Sequence, residues 1–135
     1  MSGKKLAFRF VLVLGGFIAM AFGLLYLLNN GNPYENYWVD REVPEHFEQM
    51  GFEEEDFVYS TRVIPKHHVN NEYYQPQFIV LFKDEPTIEY RYGVKKWAKD
   101  VVQFCEKGVL EEPNIYLDET TEKTLHSEDE CDTMN

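Results

Sequence analysis

The residues that could hold a metal ion lie close together. His67 and His68 are adjacent, and Glu72 follows four positions later. Imidazole and carboxylate are donors that zinc and copper accept. The spacing argues against a site, because adjacent residues on an extended chain point to opposite sides. His46 is remote, and the sequence contains no His-Glu-x-x-His or Cys-x-x-Cys run. An ordinary exposed loop is the better reading, and no metal or other cofactor is expected. The acid-rich end lacks the glycine and ligand spacing of an EF-hand.

Nucleophiles are equally sparse. Beyond residue 28 the serines are Ser60 and Ser127, and neither sits in a Gly-x-Ser-x-Gly elbow. No glycine-rich phosphate loop is present. With 24 acidic side chains, close carboxylate pairs arise by number alone. No enzymatic activity is expected. Cys105 and Cys131 could bridge, closing a loop worth roughly 3 kcal/mol by chain entropy. Two cysteines are thin support for a disulfide framework, so a buried Cys105 and an unpaired Cys131 is the favoured reading.

Charge and hydropathy place these residues. Phe10 to Leu28 is a run of 19 residues without a charge. As a helix it spans roughly 28 Å, close to the hydrocarbon thickness of a bilayer. Lys4, Lys5 and Arg9 precede it, and all 24 acidic side chains follow it. The positive-inside rule then predicts a cytoplasmic N-terminus and an extracytoplasmic remainder. Tyr26, Tyr34, Tyr37 and Trp38 stand where an interfacial aromatic belt belongs. A cleaved signal peptide competes through Ala19-Met20-Ala21, but the apolar run is too long for the usual signal core. Gly15, Ala19 and Gly23 form a small-residue row that could pair two anchors as a weak homodimer. So acidic a remainder repels phosphates, which excludes nucleic acid as a partner.

The rest reads as a small α+β domain. The expected organisation is a basic flank at 1–9, a transmembrane helix at 10–28, an extracytoplasmic domain at 33–117 and a disordered acidic tail at 118–135. Pro33 suits the first turn of a helix. Tyr34, Tyr37 and Trp38 share one face of it, and Phe47 and Met50 another. Pro44 predicts a kink or a restart. Gly51 and Phe52 fit the C′ and C″ positions of a Schellman ending paired with Phe47. From Phe57 the period becomes two, with Phe57, Tyr59, Thr61 and Val63 alternating against Val58, Ser60, Arg62 and Ile64. Residues 77–83 and 87–92 predict two strands joined antiparallel through Asp84-Glu85-Pro86, with Val80 in the core and Ile88, Tyr90 and Tyr92 inward. Residues 93–108 fit either a helix face through Trp97, Val101, Phe104 and Cys105 or a last strand, and the strand is preferred because it completes a meander.

The lysine-flanked apolar helix, Asn32-Pro33-Tyr34, the ending at Gly51-Phe52, and Phe82-Lys83-Asp84-Glu85-Pro86 before Tyr90-Arg91-Tyr92 carry a resemblance. Over residues 1–107 the chain resembles a family of small, N-terminally anchored proteins of Gram-positive bacteria, domain-of-unknown-function family 3139. Pro44 and the acidic tail depart from it. The resemblance implies an anchor, a helix and a meander, and it assigns no catalytic residue. The expected function is a membrane-anchored, extracytoplasmic interaction module without catalysis, meeting an envelope protein partner through Tyr73 and Tyr74. The alternative is a metal- or ligand-handling accessory protein of the envelope.

Overall fold

The computed structural model describes residues 2–67 and 70–134, and His68 lies outside the described residues. The chain forms two units, residues 1–33 and 34–135.

In the first unit, α1 (Gly3–Asn30) runs 28 residues with none buried. It is about 42 Å long, and its length and composition suffice to cross a membrane. It begins before Phe10 because Lys4, Lys5 and Arg9 are good helix formers. At its end the Gly31 N–H donates to the Leu27 carbonyl (2.8 Å) and the Asn30 amide to the Tyr26 carbonyl (3.1 Å).

The second helix, α2 (Pro33–Gln49), is continuous through Pro44. Val39 and Val43 are fully buried beside the proline, and this packing carries the helix through the interruption that local sequence predicts. The buried stripe is Asn36, Val39, Val43 and Phe47, spaced three, four and four. Of the residues grouped by face, Phe47 is buried and Met50 is exposed, whereas Tyr34 and Tyr37 are exposed and Trp38 is half-buried on the flank. The helix ends as its sequence indicates. Phe52 N–H donates to the Phe47 carbonyl (2.9 Å) and Gly51 N–H to that of Glu48 (3.0 Å). Gly51 has φ of +86°, which a glycine adopts without strain.

After a 3-10 turn come β1 (Phe57–Val63), β2 (Gln77–Phe82), β3 (Ile88–Val94), β4 (Val101–Gln103), β5 (Lys107–Glu112) and β6 (Ile115–Thr120). All pairings are antiparallel, in the order β1-β2-β3-β5-β6, with β4 also on β3. The ambiguous stretch 93–108 therefore holds strand and turn. Phe78, Val80, Phe82, Tyr90, Tyr92 and Val94 form one core with Val39, Val43 and Phe47 of α2. The alternation expected in β1 breaks at its start, where the register shifts between Phe57 and Tyr59. Phe57 meets Phe47 and Phe82 on the α2 side, whereas the Tyr59 hydroxyl reaches Glu89 on the other.

Residues 118–134 of the tail are ordered, contrary to their composition. Residues 118–120 belong to β6, and Cys131 is disulfide-bonded to Cys105 with Cα atoms 5.0 Å apart, so the unpaired reading is also corrected. Phe104 and Asp132 form a parallel bridge beside β4. The His126 ring stacks on Phe82 (3.9 Å between centroids), and its Nε2 meets Asp84 Oδ1 at 2.7 Å. Gln103 Nε2 donates to the His126 carbonyl, and Gln103 Oε1 accepts the Glu128 N–H. On that same face, His46 of α2 meets Glu128 at 3.2 Å. The segment thus shares with α2 the work of covering one sheet face. Its polar side chains spend their hydrogen bonds on the domain, which composition alone does not reveal.

Candidate functional site

The residues expected to form a surface do not form one. Tyr73 and Tyr74 are 1% and 5% exposed. Tyr73 packs edge-on to Phe104, and its hydroxyl donates to Asp132 at 2.7 Å. Burial raises the Tyr73 pKa, and Asp132 as acceptor raises it further, while the bond from Tyr73 lowers the Asp132 pKa. Of the candidate metal ligands, two lie among the described residues. His67 and Glu72 are exposed, and the Glu72 N–H donates to the Asn70 side chain. Among the described residues no group of three or more His, Cys, Asp or Glu side chains is arranged to hold a metal ion.

A different group assembles at the start of α2. Its first turns carry Tyr34, Tyr37, Trp38 and Arg41, and its companion is the turn from β3 to β4, residues 95–100. The Lys99 ammonium lies 4.6 Å from the Tyr74 ring centroid, 4.8 Å from that of Trp38 and 5.8 Å from that of Tyr34. It donates to the Tyr74 hydroxyl and to the Lys96 carbonyl. A cation among ring faces gains from their quadrupoles. Tyr74 is thus the inner wall of this cluster, and Tyr34 its exposed rim. Arg41 extends the pattern, stacked over Trp38 at 5.7 Å and donating to the Tyr37 hydroxyl.

The turn itself is tightly held. Lys95 N–H donates to the Asp100 carbonyl (2.9 Å), Lys99 N–H to the Lys95 carbonyl (3.0 Å), and Lys96 N–H to the Glu72 carbonyl (2.9 Å). Lys99 adopts φ of +59°, an uncommon conformation for a residue with a Cβ. At the tip, Trp97 is 94% exposed. The sequence leaves Trp97 open between a helix face and a turn leading into a last strand, with the strand preferred. The usable signal was the run Lys95-Lys96-Trp97-Ala98-Lys99, an indole among three lysines in an otherwise acidic domain.

A second polar group lies on the sheet face away from α2. Glu89 is fully buried and accepts from the hydroxyls of Tyr59 and Tyr116. The Tyr116 ring reaches it by lying over Gly108, where a Cβ would come within 2.8 Å of the ring. Burial, then the bond to Glu89, pushes the Tyr116 pKa up to about 12 and raises that of Tyr59. Arg91, next on that side, pairs with Glu119 at 2.6 Å. Lys107 is buried, its ammonium donates to the Cys105 carbonyl, and desolvation lowers its pKa.

The chain matches the family model described as Protein of unknown function (DUF3139) over residues 4–92, from the first turn of α1 to Tyr92 in β3. No curated protein and no solved structure matches it. The basic turn, β4 to β6 and the disulfide-bound segment follow the matched residues. With most of the chain inside the match, including α1, α2 and the first sheet strands, the protein belongs to the DUF3139 family.

Proposed function

We propose that the protein is a single-pass membrane protein with a cytoplasmic N-terminus, whose second unit acts outside the cell membrane by contact with another envelope component and turns over no substrate. The observation that carries this is α1, apolar on every side with none of its residues covered by protein. The charge asymmetry about it supports the orientation, with basic residues before the apolar run and every acidic residue after it. The Cys105–Cys131 bridge supports an oxidising compartment for the second unit. The interaction reading draws on the exposed aromatic surface of Tyr34, Tyr37 and Trp97 beside fixed cations, a composition suited to binding.

A membrane-impermeant amine reagent applied to intact cells tests the topology. Lys66, Lys83 and Lys123 should be modified, and Lys4 and Lys5 only after permeabilisation. Labelling of Lys4 and Lys5 in intact cells, or a mature N-terminus near Phe22, would refute the reading.

A further inference from the structure

We propose that the β3–β4 turn is a lipid-contact surface, in which Trp97 enters the headgroup layer of an anionic bilayer and Lys95 and Lys96 face its charged headgroups. The proposal rests on the anchored, extracytoplasmic reading and names what this surface meets.

Four observations carry it. First, Trp97 is 94% exposed, more than any other large apolar side chain among the described residues of the second unit. An uncovered indole favours the membrane–water interface, where its ring is shielded and its N–H stays hydrated. Second, three of the chain's 13 basic side chains fall within five residues of one turn. Lys95 and Lys96 make no ion pair among the described residues, although Lys95 lies within electrostatic reach of Asp132, and the acid of the turn, Asp100, receives the Lys95 N–H through its backbone carbonyl. Each basic side chain near an anionic lipid surface strengthens association about five-fold.

Third, the turn is tied to the start of the second unit. Lys99 fixes it against the rings of Tyr34 and Trp38. Tyr34 follows Asn30, the last residue of α1, by four positions in the chain. Fourth, the charge of the remaining domain directs the contact. Its acidic excess is repelled by anionic headgroups, so the basic turn is the face that approaches them with favourable energy. Lys99 is the positioning residue: its ammonium is engaged with the rings, and it holds Trp97 outward.

The test uses the full chain labelled with 5-fluorotryptophan in nanodiscs, either phosphatidylcholine alone or mixed with phosphatidylglycerol. The chain has two tryptophans, so two fluorine resonances arise, and Trp97→Phe assigns them. With a headgroup-spin-labelled lipid in anionic discs, the Trp97 signal should broaden several-fold more than that of Trp38. Lys95→Gln with Lys96→Gln should remove most of that difference. A Trp97 signal untouched by the lipid label but broadened by a soluble paramagnetic chelate overturns the proposal. Protection from both probes also overturns it, since a protein would then cover the surface, and so does equal broadening in phosphatidylcholine discs. Failure of the chain to co-purify with discs of either kind would instead refute the anchored reading.

Discussion

Glu89 shows how one side chain can be placed correctly by period and still be misjudged in environment. Alternation in β3 puts Ile88, Tyr90 and Tyr92 toward α2 and Glu89 on the opposite face, as the structure has it. An outward glutamate reads as solvated, yet Glu89 is fully buried because rings from β1 and β6 close over it. Those rings come from 30 and 27 residues away, beyond the reach of any local pattern. The carboxylate has two hydroxyl donors, so its burial is compensated. Glu89→Ala should lower unfolding stability by about 2–4 kcal/mol in urea titration, since two hydroxyls lose their acceptor and a void remains. Glu89→Gln, which keeps an acceptor oxygen, should lose less. An unchanged midpoint for the alanine variant would mean that water serves the hydroxyls equally well. Trp97 shows the converse: its spacing to Val101 also fits a packed helix face, but the chain turns between them and leaves the indole exposed.

Among the elements, those legible in the sequence are the ones specified by local rules. The Gly51-Phe52 ending, the β2–β3 hairpin and the core position of Val80 follow from capping geometry, turn length and apolar patterning. The stripe Val39, Val43, Phe47 was available at four-residue spacing, but only Phe47 of it was grouped on a face, beside Met50, which is exposed. Residues 118–134 were illegible because their order depends on a covalent link and on backbone pairing with β4, neither of which composition records. The bridge closes a loop with a sequence separation of 26 residues, worth roughly 3 kcal/mol by chain entropy. Cys131→Ser in the full chain should therefore lower stability by about that amount and make the segment after β6 sensitive to protease. If limited proteolysis leaves that segment intact, the contacts of His126 and Glu128 hold it without the bridge.

The molecule as a whole divides its charge and its chemistry at the end of α1. On one side stands an apolar helix with basic residues near its start, and on the other an acidic domain rich in buried phenols. Tyr59, Tyr73, Tyr90 and Tyr92 have raised pKa values, with burial as the leading cause in each, and that of Tyr116 is pushed up to about 12. In the unfolded chain the same groups ionise near 10.0, their ordinary value. Above that pH the unfolded state releases protons that the folded state retains, so unfolding is favoured as pH rises. The stabilising contribution is fully present below pH 10 and declines as pH climbs through about 12. Self-repulsion of the acidic domain adds to the decline, because deprotonated lysines no longer offset its carboxylates. The expected outcome is cooperative alkaline unfolding, with much of the tyrosinate absorbance near 295 nm rising together with the loss of sheet circular dichroism. Smooth phenol titration centred on pH 10 with the sheet signal unchanged would show that these hydroxyls are open to solvent, and the buried phenol network would have to be abandoned.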